Sequence, residues 1–255
     1  SAAGHPYPVD EQVADLRVRL AEIRDALIWA PGQVLVENPA RVDADDGNII
    51  TEALLRRLGE TRRELLIESP YFILLDRGIE IMRTITARGV KVRVLTNSAA
   101  TSDVMAAHAG YANTRKDLLE AGVELYELRP DSNMRRDWAI AAGKSRAALH
   151  AKALVFDRKS LFIGSFNLDP RSRFINTEVG VMIESPELAA QLGEFMDEGV
   201  SPGSAFHVRL DEGDDLLWSA ETNGTNVRFD TDPETGLWQR FVIDVVGLMP
   251  IEEQL

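Results

Sequence analysis

The chain has no cysteine among its 255 residues. That excludes a disulfide framework, a thiolate nucleophile and any metal site built on cysteine. It is also short of positive charge: 28 Lys and Arg stand against 41 Asp and Glu, a formal net charge of -13. Backbone binding to nucleic acid depends on clustered Lys and Arg, so a surface largely given over to such a groove is not expected, nor is loose adsorption to an anionic bilayer. A focused cationic pocket stays open, because one or two cations do not register in the total. No run of eighteen apolar residues occurs, so no membrane span is expected. No signal peptide is read either, and the start at Ser1-Ala2-Ala3 without methionine suggests a processed or recombinant boundary. The four histidines, His5, His108, His150 and His207, lie far apart, and none falls in a zinc-binding pattern.

What is present is ample apolar material, 45% of the chain, enough for one large α/β domain or two small ones. Asp10 to Leu27 has apolar residues at a helical period, and Gln33 to Glu37 reads as a short strand before a polar loop at Asp43 to Gly47. A helix over Ile49 to Arg63 opens a strand and helix alternation: Glu64 to Ser69, Gly78 to Ala87, Val90 to Thr96, Asp103 to Glu120, Val123 to Glu127. Helices of that length between apolar strands imply right-handed crossovers. The expected class is α/β, with a mixed, largely parallel sheet flanked by helices on both faces. Gly89 and Gly122 stand where left-handed residues close helices. Pro130 to Ser145 reads as a mobile loop near the mouth of the site. Further on, Pro186 to Glu198 is a helix, and short strands follow at Phe206 to Leu210, Leu216 to Ser219 and Asn226 to Phe229. Pro233 to Met249 is a final helix whose Leu237, Trp238, Phe241, Val242, Val245 and Val246 are expected to pack on the core.

The chemistry concentrates between Leu149 and Glu178. His150 and Lys152 are two apart, so on an extended strand both side chains leave one face, where imidazole and ammonium can converge on an anion. Asp157 follows at a polar turn, Asp157-Arg158-Lys159. A second apolar run ends in Gly164-Ser165-Phe166-Asn167, where a glycine admits close backbone approach and a hydroxyl and a carboxamide can donate to phosphate oxygens. After a polar loop over Arg171 to Asn176, Glu178 opens a third strand, Val179 to Ile183, and is a carboxylate able to orient an imidazole by accepting its ring N–H. A single histidine in an apolar run is ordinarily a core residue. Six residues at fixed spacings are not accounted for that way.

His150, Lys152, Asp157, Gly164, Ser165 and Asn167 resemble the H-x-K-x4-D-x6-G-S-x-N signature, the HKD motif, of the phospholipase D superfamily. The likeness extends through Glu68 to Phe72, Leu95 to Ser98, His108 to Tyr111, Gly122 to Leu128 and Gly164 to Ser172, and into the tail at Trp218, Trp238 and Leu248 to Pro250. From about Trp29 onward the chain is similar to the C-terminal half of bacterial cardiolipin synthases of the C type.

The resemblance implies an active site free of metal and cofactor, formed where two such signatures face each other across a pseudo-two-fold axis. This chain carries one signature. Its other histidines, His5, His108 and His207, are followed two residues on by Tyr7, Gly110 and Arg209. By the same resemblance, residues 1–48 are a helix and linker from a missing N-terminal half, and residues 49–255 a phospholipase D-like catalytic half with a C-terminal extension. The site is then completed by that half or by a second copy in a homodimer.

The implied reaction transfers a phosphatidyl group to phosphatidylglycerol from phosphatidylethanolamine or a second phosphatidylglycerol, through a phosphohistidine. His150 takes the acid/base role, Lys152, Ser165 and Asn167 hold non-bridging oxygens, Glu178 steadies an imidazole, and Asp157, counted with the signature, suits structural support. Tyr71, Asn97, His108 and Tyr111 are candidate pocket residues. The implied setting is peripheral, at the bacterial inner membrane, with phospholipids as partners, no nucleic acid, and this piece itself soluble. Rival readings are a phospholipase D, a phosphodiesterase or nuclease of the same superfamily, and an inactive half-domain used for docking.

Overall fold

The structure, a computed structural model, describes residues 10–38, 48–132 and 148–247. The expected loop at Asp43 to Gly47, most of that at Pro130 to Ser145 and the last residues of the tail fall outside these. The chain divides into two compact units, Ser1–Pro31 and Gly32–Leu255. The first contains the helix α1 (Asp10–Asp25). The second opens with β1 (Gly32–Val36), which pairs with a strand of the main sheet. The sheet therefore begins before residue 49, where the sequence reading opened its second domain.

Helix α2 (Ile49–Glu60) starts at Asn48, whose side chain accepts from the Thr51 N–H at 2.7 Å. Then β2 (Glu64–Glu68), α3 (Asp76–Ala87), β3 (Lys91–Asn97), α4 (Met105–Glu120) and β4 (Glu124–Leu128) form two successive crossovers. Gly89 and Gly122, at φ of +83° and +82°, close α3 and α4 in the left-handed conformation that a side chain would disfavour. The rest comprises β5 (Ala153–Phe156), β6 (Ser160–Gly164), α5 (Pro170–Phe174), β7 (Val179–Glu184), α6 (Pro186–Gly199), β8 (Ala205–Leu210), β9 (Leu216–Thr222), β10 (Thr225–Phe229) and α7 (Leu237–Gly247).

These strands form one ten-stranded sheet in the order β1-β7-β6-β5-β2-β3-β4-β8-β9-β10. Only β2–β3 and β3–β4 are parallel; the other seven ladders are antiparallel. The sheet is mixed, but mostly antiparallel rather than largely parallel. A crossover helix is needed only where neighbours run the same way, and the strand and helix alternation ends at Leu128. On one face, Leu65, Ile67, Val94, Leu154 and Phe156 pack with Leu54, Met82 and Leu118 of α2, α3 and α4. On the other, Leu66, Val155 and Leu161 meet Ala189 and Met196 of α6. The period of two along each strand supplies both layers.

Two further expectations are corrected. Arg171 to Asn176 is not all loop, since Pro170–Phe174 makes a helical turn capped by Asp169. The last helix starts at Leu237 rather than Pro233, its expected end at Met249 lies outside the described residues, and only part of its apolar stripe is covered. Ile243 is buried and Val246 packs near Ala99 and Ala109, whereas Leu237, Trp238, Phe241 and Val245 are exposed. Its apolar stripe is wider than the surface α4 offers it.

The antiparallel register places the chemistry. Glu68 at the end of β2 faces Ala153 at the start of β5, and Gly164 at the end of β6 faces Gly180 near the start of β7. The C-terminal ends of β2 and β3, the residues before β5, the end of β6 and the entry to β7 thus share one end of the sheet.

Candidate active site

The segment entering β5 is held from β3. Asn97 accepts from the Leu149 N–H at 2.8 Å and donates to the Leu149 carbonyl at 3.2 Å, all of it buried. His150 is the next residue and is exposed. Lys152 is half-buried, and its ammonium donates to the His150 carbonyl at 3.0 Å. Burial pulls the Lys152 pKa below the ordinary lysine value, against the opposing pull of three carboxylates, Glu178, Asp169 and Asp103.

Gly164 ends β6 because nothing larger fits: a Cβ there would stand 2.5 Å from the Val179 carbonyl oxygen and 2.8 Å from the Gly180 Cα. Ser165 follows, its hydroxyl donating to Glu178 Oε2 and accepting from the Val179 N–H at 3.0 Å. Glu178 is buried, and its Oε1 accepts from the Ser172 hydroxyl at 2.9 Å and from the Asn176 amide at 3.1 Å. A carboxylate has about four acceptor positions, so these three bonds leave one. Ser172 also accepts from the Asn167 N–H at 3.1 Å. Asn167 is buried, and its Oδ1 has no hydrogen-bond partner among the described residues.

Asp169 caps α5 by accepting from the Ser172 N–H at 2.7 Å. Burial raises its pKa, the bonds from Ser172 oppose that, and the charge of Glu178 adds to it. Tyr71, after β2, donates to Asp103 at 2.9 Å. Burial, then the bond to and charge of Asp103, then Asp169, push the phenol up to about 12, so it remains a donor at neutral pH. Around the Lys152 ammonium the structure therefore gathers Glu178, Asp169 and Asp103, with Ser165 and Tyr71 each bonded to one of those acids.

Not every candidate comes to this end. Asp157 stands at the far end of β5, five residues past Lys152, which at about 3.3 Å per residue is on the order of 15 Å away. Its carboxylate accepts from the backbone N–H groups of Arg62, Arg63 and Glu64 at 2.9, 2.7 and 3.0 Å. Asp157 and Arg158 both have φ of +52°, the geometry of a type I′ turn. His108 and Tyr111 lie on α4 in a buried polar cluster: Tyr111 donates to Glu127 at 3.1 Å, and His108 is 2.9 Å from Arg115, which pairs with Asp232 at 2.6 Å and Glu127 at 2.9 Å. Glu178 meets Ser165, Ser172 and Asn176 and makes no hydrogen bond to the His150 ring among the described residues.

Sequence reading passed over Asp103, Asp169 and Ser172. Asp169-Pro170 is a helix-start signal that would have drawn attention to the cap. Asp103 has no such signal, since its partner Tyr71 is 32 residues away.

Residues 54–198 match the family described as cardiolipin synthase, PLD-like domain, and the chain belongs to this phospholipase D-like family. Among curated proteins it is 36% identical over 231 residues to cardiolipin synthase C of Escherichia coli K12, covering 89% of this chain and 48% of that protein. It is 25% identical over 244 residues to an uncharacterized protein of Helicobacter pylori, covering 96% of this chain and 48% of that one. The chain spans about half the length of these relatives. Among solved structures it resembles Nuc, a phospholipase D family member from Salmonella typhimurium, at a TM-score of 0.50 and 18% identity, over 71% of this chain and 99% of that chain. It also resembles phosphatidylserine synthase of Haemophilus influenzae at 0.50 and 16%, over 77% of this chain and 46% of that one. At these identities the structural likeness is one of fold.

Proposed function

We propose that this chain supplies one half of the active site of a phospholipase D-type phosphatidyltransferase of cardiolipin synthesis, and that the other half comes from an N-terminal lobe or from a second copy. The observation that carries this reading is the placement of His150, Lys152, Ser165, Asn167 and Glu178 at one end of the sheet, in a chain 36% identical to a cardiolipin synthase.

Two in-line displacements at phosphorus follow. In the first, an imidazole nitrogen from the opposing half attacks the phosphatidyl phosphorus, a P–N bond forms, and the P–O bond to the departing alcohol breaks. His150 donates the proton that alcohol needs. In the second, His150 takes the proton from the hydroxyl of phosphatidylglycerol, the new P–O bond forms and the P–N bond breaks, releasing cardiolipin. Lys152 and the amide N–H of Asn167 hold the non-bridging oxygens, where charge grows in the transition state, and Ser165 joins them when its hydroxyl proton turns from Glu178 to the phosphate. The remaining acceptor position of Glu178 suits an imidazole N–H from the opposing half. Asp157 serves the turn. No helix among the described residues is long and apolar enough to cross a membrane, which is compatible with peripheral action at the bacterial inner membrane.

The test is reconstitution. The chain, alone and with an N-terminal lobe carrying a second signature, is given labelled phosphatidylglycerol and phosphatidylethanolamine, then single-stranded DNA. Cardiolipin formation with release of glycerol or ethanolamine is expected, and loss of it in His150→Ala without unfolding. DNA cleavage alone would give the site to the nuclease branch, and full activity of His150→Ala would remove that imidazole from the mechanism.

A further inference from the structure

Of the three carboxylates around the Lys152 ammonium, the displacements described above use only Glu178, which is buried and already accepts three hydrogen bonds. Asp169 is buried and caps α5. Asp103 differs from both. It is exposed, and among the described residues its carboxylate takes part in a single hydrogen bond, from the Tyr71 hydroxyl to Oδ1 at 2.9 Å. Its Oδ2 is therefore free to accept from a ligand.

Both members of this pair are held in place. Asp103 lies on the turn from β3 to α4, where the N–H groups of Thr101 and Ser102 donate to the Ser98 carbonyl at 3.1 and 2.9 Å and the Ser102 hydroxyl donates to the Val104 carbonyl at 3.1 Å. Tyr71 is fixed through its own carbonyl, which accepts from the Ser69 hydroxyl at 2.6 Å, and through the bridge that Phe72 makes to Leu168. Its ring packs partly on the core. The charge of Asp103 is felt at Lys152, yet its hydrogen bond comes from Tyr71 and that of Lys152 goes to the His150 carbonyl. Carboxylate and ammonium thus stand apart, each able to take its own group of one ligand.

We propose that Asp103, held by Tyr71, is the specificity-determining residue for the alcohol exchanged at phosphorus, accepting a hydrogen bond from a second hydroxyl or an ammonium on that alcohol. The assignment rests on the phosphatidyl-transfer reading. Two in-line displacements at one phosphorus bring the entering alcohol in where the first one left, opposite the P–N bond, and His150 serves both oxygens. One subsite therefore holds both alcohols in turn. Lys152 is bonded to the His150 carbonyl, so Asp103, whose charge reaches Lys152, lies on the half of the site that handles the alcohol rather than the half that carries the nucleophile. An ionised carboxylate accepts and cannot donate. It favours an alcohol with a further donor, most of all a cationic one, and disfavours one with a further anion. A monohydric alkanol has nothing to offer it.

Competition between acceptors provides the test, because they divide one phosphatidyl-enzyme intermediate and the product ratio does not depend on how much of the enzyme is active. The chain, reconstituted with an N-terminal lobe carrying a second signature, is given phosphatidylmethanol as donor, with equal concentrations of glycerol and propan-1-ol, or of ethanolamine and propan-1-ol. The parent should favour glycerol and ethanolamine. Asp103→Ala should lower both preferences about tenfold. Asp103→Asn should lower the ethanolamine preference about as far and the glycerol preference less, since a carboxamide oxygen still accepts from a hydroxyl but carries no charge. Tyr71→Phe frees the carboxylate to swing and should lower both preferences by less than Asp103→Ala does. Asp157→Ala loosens the fold at the far end of β5 and should keep the parental ratios. The assignment alone is overturned if phosphatidylmethanol is turned over but the parent shows no preference, if both Asp103 variants keep the parental ratios, or if Asp157→Ala lowers them equally. Absence of turnover in the parent would instead sink the transfer reading, and this assignment with it.

Discussion

Replacing Asp157 by alanine separates a residue that holds the fold from one that does chemistry. In the parent, one carboxylate accepts from three successive backbone N–H groups at 2.7 to 3.0 Å. Burial acts to raise its pKa, but the N–H groups of Arg63, Glu64 and Arg62 prevail and hold it below the usual carboxylate range. Hydrogen bonds to a charged acceptor contribute roughly 1.5–3 kcal/mol each. Arg62 and Arg63 are exposed, so water replaces much of that, and the expected loss is about 2–3 kcal/mol in total. Glycine accepts a φ of +52° without strain, so Asp157→Gly should lose about 1 kcal/mol less than alanine. Urea unfolding should show a lower midpoint at unchanged slope, while turnover of the reconstituted enzyme stays near the parent value. Because the folded-state pKa is depressed, the stabilisation is present above the unfolded value of about 4 and is lost as pH falls through the folded one. Asp157→Asn should flatten that part of the stability profile. A variant as stable as the parent within about 0.5 kcal/mol, yet inactive, would refute this and return Asp157 to the chemistry.

Arg115→Met should cost about 3–5 kcal/mol, read by urea unfolding, because Glu127 is left buried without its cation, and adding Glu127→Gln should restore part of the loss. The same cluster predicts acid sensitivity. Asp232 would be raised by burial, but Arg115 and then His108 hold its pKa far below the usual range, so its contribution is full above about pH 4 and is lost progressively as pH falls from there through the folded value, a loss that should be absent from the pH profile of Asp232→Asn. Gly180→Ala should destabilise by roughly 1–3 kcal/mol, because its Cβ would press into the Phe162 ring, and Phe162→Leu should relieve it; equal loss in the presence of Phe162→Leu would argue against the clash. Asn97→Ala leaves a buried N–H and carbonyl of Leu149 unpaired, which should cost about 2–4 kcal/mol in thermal or chemical unfolding and should lower kcat more than it changes KM.

Much of the fold was legible because its signals are local. Apolar periodicity located α2, α3 and β2 to β4 within a few residues, and Gly89 and Gly122 marked the helix ends that their positive φ angles confirm. Strand direction was not legible in the same way. Whether β5 lies parallel or antiparallel to β2 depends on a pairing across 85 residues or more, and the alternation before Leu128 says nothing of it. The covering of α7 is another non-local matter: periodicity shows that Leu237, Trp238 and Phe241 share a side, but only the extent of α4 decides how much is buried. At the site, the spacing of His150, Lys152, Ser165 and Asn167 shows in the letters. The acids around Lys152 do not, because Asp103, Asp169 and Glu178 come from three separate segments. The bonds of Glu178 to Ser165 and Ser172 also need the β6–β7 register and the cap of α5, neither of which is a property of a short window.

The strand that carries the signature is fastened at both tips: Asn97 grips Leu149 at one, and Asp157 grips residues 62–64 at the other. A segment tied at two points and paired on both edges opens only with the whole domain, so its amides should exchange with solvent among the slowest in the molecule. An incoming molecule must then fit itself to a rigid ledge, and any gating has to be done by whatever closes over it.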